Sequence, residues 1–292
     1  MKASKSDKFF NVFLWFFWIF VICFSLLPII YIVNVSLSAK TAVNSGNVFL
    51  YPINATLNAY KSIFSDGQIM RALRNSAEIA LVGTILSVTF SILCAYPISK
   101  RMLPGRKIII GMILFTMFFR GGLIPNVILM RGLGISSTYW SVWFAGLSSV
   151  YNIFVLKTGF EAIPSSYEES AKIDGASDLM ILLKIYLPLS IPVIIAISLF
   201  YLVSWWNEYY FSLIFIHASD KLPIVIKVQQ LVENMGENLL NVTDADLKMQ
   251  QTIAAASVKS ACIMICMLPV LLVSLPLQKY YIKGNFFNVN KE

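Results

Sequence analysis

Five charged residues, Glu168, Glu169, Lys172, Asp174 and Asp178, crowd into positions 168–178 of the stretch SSYEESAKIDGASDLMILLKIYLPLSIP, residues 165–192. Acids and a base so close together suit acid–base catalysis, cation binding, or docking through charge. The first two need carboxylates, histidines or thiolates that face one another from several elements. The chain has one histidine, His217, and its four cysteines, Cys23, Cys94, Cys262 and Cys266, all lie within apolar runs. Neither a metal cluster nor a disulfide framework follows. An enzyme embedded among apolar segments would need such facing groups, and the acids cluster only here. Docking through charge and an ordinary interfacial helix both remain open.

The elements around this stretch are apolar. Of the 292 residues 58% are hydrophobic and 13% charged, against roughly 25% charged in soluble domains. Residues 9–39, 79–99, 132–156, 185–207 and 260–278 contain no Asp, Glu, Lys or Arg. Each reaches or nearly reaches the ~20 residues that cross a bilayer core as a helix. A sixth span is expected over 108–130, broken near Arg120, Gly121, Gly122 and Pro125; the alternative is a re-entrant segment at 108–119. The net charge of +8 comes from Lys and Arg lying between apolar runs, which excludes a nucleic-acid stripe. The first apolar run is too long for the core of a signal peptide and is read as a retained span. The fold class expected is all-α integral membrane with six transmembrane helices.

Lys and Arg close to span ends orient such a bundle. They fill the start (Lys2, Lys5, Lys8), the short connection KRMLPGRK (100–107) and the end (Lys279, Lys283, Lys291). Both termini are therefore expected in the cytoplasm, with residues 1–8 as the N-terminus, 9–278 as the transmembrane domain and 279–292 as the tail. Residues 157–184 fall on the same side. There, Pro164 and Ser165 with acids in the next turn predict a helix start, and Asp174-Gly175 predicts its stop. A second helix from Ser177 runs towards Pro188. The short helix fits either an interfacial amphipathic element or a peg for a partner's groove.

Polar residues inside apolar spans are candidates for a solute path. The fifth span ends in SWWNEYYF, where Trp205, Trp206 and Tyr210 offer ring faces and Asn207 and Glu208 offer hydrogen bonds suited to hydroxyl-rich rings. The alternative is an aromatic belt at the outer interface. Arg120 is the second candidate, with snorkelling towards headgroups as its alternative.

EESAKIDGASDLMILLKIYLPLSIP resembles the EAA motif of ABC importer permeases, at Glu169, Ala171, Asp174, Gly175, Ala176, Ile185, Leu187 and Pro188. Ser170 and Leu182 stand where the motif has alanine and phenylalanine. GGLIPNVILMRGLGISSTYWSVW further resembles a carbohydrate-permease subgroup associated with complex oligosaccharide or polysaccharide uptake. The resemblance implies a type I importer permease fold whose coupling helix, with Glu168, Glu169, Ala171, Asp174, Gly175 and Ala176, sits in a cleft of an ATPase subunit. It also implies two ATPase subunits, a second related permease, an extracytoplasmic solute-binding protein and an oligosaccharide substrate. No cofactor is expected in this chain: it lacks a G-x-x-x-x-G-K-[ST] loop, so ATP and Mg belong to the partners. A permease for peptides or amino acids is the alternative.

Overall fold

The computed structural model describes residues 5–65, 67–119, 121–237 and 254–283, and every regular element among them is a helix. They divide into two compact units, residues 1–70 with 227–268 and residues 71–226 with 269–292.

In the first unit, α1 (Lys5–Leu37) is long and apolar enough to cross a membrane over Phe13–Leu37. Its Trp15, Phe16, Phe20 and Phe24 are exposed, as a lipid-facing helix requires. Burial begins at its C-terminal end, around Val35, Ala42 and Val48. Polar groups tie that end down. Asn34 Nδ2 donates to the Phe49 carbonyl at 3.1 Å, Ser38 Oγ accepts from Ile53 N at 3.0 Å, and Ser36 Oγ meets Tyr60 Oη at 2.9 Å. Two short helices follow, α2 (Lys40–Asn44) and α3 (Asn58–Ser65). The rest of this unit lies on residues 227–237 of α13 (Ile224–Glu237) and 255–268 of α14 (Ala255–Lys283).

The second unit is organised along α4 (Gly67–Ser99), the other single helix long enough to span. One core gathers at Ile79 and Ala80 with Trp143, Tyr201, Trp205 and Phe215. The other gathers at Ala95, Tyr96 and Ile98 with Leu156, Phe160, Ile181, Tyr186 and Ile197. The apolar run at 108–130 forms α5 (Arg106–Phe118) and α6 (Leu123–Gly132), bent by 113°. Gly122 makes the bend with φ of 84°, a conformation that a side chain would oppose.

Two other runs expected as spans are also interrupted. Residues 132–156 form α7 (Tyr139–Gly146) and the start of α8 (Val150–Glu161), with Ser149 capping α8 by accepting from Asn152 N at 3.4 Å. The fifth run bends by 81° between α10 (Asp178–Leu189) and α11 (Ile191–Trp206). Pro192 has no N–H to continue the hydrogen-bond ladder across Ser190. Within α10, residues Leu182–Tyr186 form a π-turn, a widening that the apolar pattern did not foretell. Among the described residues, with each bent pair taken as one span, up to four spans meet the length and composition required.

The charged helix α9 (Ser165–Ile173) starts and stops where the sequence indicates. Gly175, at φ of 79°, closes it: Ala176 N donates to the Ala171 carbonyl at 2.9 Å and Gly175 N to the Lys172 carbonyl at 3.1 Å, a Schellman arrangement. Ser177 Oγ then caps α10 by accepting from Met180 N at 3.3 Å.

The Trp205 indole lies between two glycines. A Cβ on Gly83 would sit 2.6 Å from Trp205 Cδ2, and one on Gly146 2.8 Å from Cη2. Gly83→Ala should therefore cost about 1–3 kcal/mol through overpacking. Thermal unfolding of the detergent-solubilised protein checks it, with Gly111→Ala, where the new methyl meets open space, expected to be neutral or slightly stabilising.

Candidate functional sites: a pinned charged helix and a polar cavity

Glu168 is the centre of the charged helix. Lys100 Nζ, at the end of α4, donates to its Oε2 at 2.6 Å, Tyr186 Oη donates to the same oxygen at 2.9 Å, and Lys172 Nζ reaches Oε1 at 2.8 Å. The Lys100 ammonium lies 3.7 Å from the Tyr186 ring centroid and 4.2 Å from that of Tyr96, within cation–π range of both. The two rings meet edge to face with centroids 5.2 Å apart. Tyr96 Oη also donates to the Asp178 carbonyl at 3.1 Å. Burial penalises the Glu168 charge, but the hydrogen bonds from Lys100, Lys172 and Tyr186 outweigh it and bring the carboxyl down to about 2. Burial also lowers the Lys100 pKa, and Glu168 works against that shift.

The rest of α9 divides by face. Ala171 and the following Ala176 pack against the core around Tyr96 and Phe160. Glu169, Asp174 and Gly175 are exposed, with Tyr167 and Ile173, the latter 86% exposed. The adjacent connection from Lys100 to Arg106 is also clamped to α8. Arg106 Nε donates to the Ile98 carbonyl at 2.7 Å, its guanidinium pairs with Glu161, and Lys157 reaches Glu161 Oε2 at 2.8 Å. The basic KRMLPGRK connection, read from sequence as an orientation signal, is thus also a bracket around the charged helix. Its partners lie 55 and 68 residues away, beyond the reach of local pattern.

A cavity of about 920 Å³ opens among α5, α6, α8 and α11, lined by hydroxyls and amides such as Asn126, Ser149 and Asn152 beside the rings of Tyr151, Phe200 and Trp205. Of the expected path residues, Trp205 and Glu208 line it. Trp205 is only 4% exposed, and its indole N–H donates to Ser87 Oγ at 3.1 Å. Glu208 Oε1 accepts from Phe211 N at 2.7 Å, at the start of α12 (Tyr210–Phe215).

Trp206 turns away into an apolar recess with Leu81, Val203 and Pro269. Asn207 Nδ2 donates to its own helix at the Val203 carbonyl, 2.9 Å away, and Tyr210 is exposed beside Phe211. Arg120 lies outside the described residues, although Phe119 and Gly121 on either side line the cavity. Sequence reasoning missed Tyr151 and Asn152. The signal available was SSVYN (148–152), a polar knot within an otherwise apolar run.

Residues 81–284 match the family described as the binding-protein-dependent transport system inner membrane component. The chain belongs to this family. It is thus a transport permease of the inner membrane and not an enzyme. The permease is 36% identical to the polygalacturonan/rhamnogalacturonan transport system permease protein YtcP of Bacillus subtilis (strain 168), over 96% of this chain and 97% of that protein. It is 34% identical to Protein LplC of the same organism, over 97% of this chain and 95% of that one. Among solved structures it resembles a chain of a bacterial ABC transporter involved in the import of the acidic polysaccharide alginate, at 30% identity and a TM-score of 0.89, covering 96% of this chain and 99% of that chain.

In the permease, the low pKa of Glu168 sets a pH window. Its folded value of about 2 lies below the ordinary 4.5, so its stabilisation is present in full above 4.5 and is lost as pH falls from there through about 2. Thermal unfolding across pH should show a constant gap between wild type and Glu168→Gln above that window. The gap should close within it.

Proposed function

We propose that this permease is one of two related permease subunits in an ABC importer that carries an acidic oligosaccharide across the cytoplasmic membrane. A solute-binding protein delivers the sugar from outside, and two ATPase subunits supply the driving force. The observation that carries the reading is the division of α9 by face. Glu168 is consumed by internal bonds, while Glu169, Asp174, Tyr167 and Ile173 are presented outward. Such a face, apolar with an acidic rim, suits a groove on a partner. α9 is then the coupling helix, with Ala171, Gly175 and Ala176 setting its seat and its end.

The six-span arrangement follows by grouping helices: α1, α4, α5 with α6, α7 with α8, α10 with α11, and α14. Both termini then lie in the cytoplasm with residues 157–184, leaving 1–8 and 279–292 as tails around the 9–278 permease domain. The cavity is the solute path in this reading. Hydroxyls and amides beside aromatic faces suit sugar rings, which present polar edges and apolar faces, and neither feature favours peptides or amino acids. The relatives' names support a polymer of acidic sugars: polygalacturonan in one, the acidic polysaccharide alginate in another. Within the path, Trp205 forms a wall and Glu208 a polar rim. Arg120, flanked in sequence by two lining residues, is the cation that a uronate carboxylate would meet.

Two substitutions test this. Glu169→Lys should abolish uptake of oligogalacturonides into whole cells at unchanged permease level, by reversing charge on the docking face. Arg120→Leu should lower uptake at least about tenfold, with Arg120→Lys only partly tolerated because the bidentate fork is lost. Wild-type uptake in Glu169→Lys would remove the docking role from this face, and wild-type uptake in Arg120→Leu would remove Arg120 from the path.

A further inference from the structure

The internal bonds of Glu168 do more than satisfy a half-buried acid. Its three donors come from Lys100, the residue that follows α4, from the π-turn of α10 and from α9 itself. The strongest of them, Lys100, is held in place independently by two ring faces. Tyr96 adds a fourth tie, from α4 to the first residue of α10, Asp178, on the far side of the Gly175 turn. Both limbs of the turn are therefore bonded to one helix, α4. Further along, the same helix carries Gly83 and Ser87 against the cavity wall residue Trp205. Displacing α9 must either break an ion pair enclosed by aromatic rings or carry α4 and α10 with it.

We propose that Lys100, Glu168, Tyr96 and Tyr186 form a rigid joint that converts displacement of α9 into displacement of α4 and α10. These are positioning residues, and the proposal rests on the docking role given to α9 above. An ammonium between two ring faces and a carboxylate is restricted in both distance and direction, unlike an exposed lysine pair, which is mobile and weak. The outward face of α9 is left free to receive a push, and the inward face has no slack to absorb it.

The test uses the transporter purified through a tag on this chain, with its native ATPase subunits, reconstituted into liposomes with the solute-binding protein. Two quantities are read: ATP hydrolysed per oligogalacturonide imported, and hydrogen exchange of the amides at 165–173. Lys100→Met and Glu168→Gln should retain the ATPase subunits, speed exchange across α9, and raise ATP consumed per sugar at least about fivefold, the lower end of ordinary coupling between sites. Lys100→Arg keeps the charge and stacks on rings, and should stay within about twofold of wild type.

Wild-type ratios and wild-type exchange in both disruptive variants overturn the joint. Loss of the ATPase subunits from all three variants also overturns it, in favour of an assembly role. If the wild-type complex hydrolyses ATP but imports no oligogalacturonide, the substrate reading fails, and exchange at 165–173 alone decides the joint. If no ATPase copurifies with the wild type, the docking reading fails, and unchanged exchange again overturns the joint.

Discussion

An ammonium at the end of a membrane helix loses much of its water and must be repaid by other charge or by polarisable surface. Lys100 receives both, from the Glu168 carboxylate and from the faces of Tyr96 and Tyr186. Much of the second unit follows from satisfying this one cation. The pair fixes α9 against α4, orients the π-turn that carries Tyr186, and leaves the remainder of α9 facing outward. Removing one partner would strand the other in a half-buried place, which costs more than an exposed pair contributes.

The cavity is built under a different constraint. Its wall ring, Trp205, fits only because Gly83 and Gly146 lack side chains, and its indole N–H is satisfied by Ser87. A large aromatic surface is thereby immobilised by packing and by one hydrogen bond. Part of the polar lining comes from a helix break, where Ser149 caps a new helix by accepting from Asn152 N and both residues border the cavity. Interrupting a membrane helix exposes backbone groups that must find partners, and here the Ser149 hydroxyl supplies one.

Local order was legible in the sequence wherever a single residue type decides it. The start of α9 near Pro164, its stop at Gly175 and the bend beside Gly122 follow from backbone chemistry that proline and glycine carry alone. Neighbouring residues with opposite duties were not legible. Glu168 and Glu169 read alike, yet the first is bonded to Lys100, 68 residues earlier, and the second is exposed. Trp205 and Trp206 were taken together as path residues, and consecutive helical positions turn them to different sides. The serine breaks at 149 and 190 escaped notice because an uncharged run was read as a continuous one. Charge content measures compatibility with lipid, not continuity of a helix.

The π-turn at Leu182–Tyr186 gives this architecture a numerical dependence. A π-turn accommodates one residue more than an α-turn would, and each residue advances an α-helix by about 100°. A π-turn takes up that surplus position locally, so the side chains beyond it keep the bearing they would have on an α-helix one residue shorter. A one-residue deletion within the turn would close it to an α-turn and leave α11 on its present bearing, but would take the surplus position from beside Tyr186, a donor to Glu168. The count of residues in this turn therefore bears on the Glu168 cluster before it bears on the cavity wall.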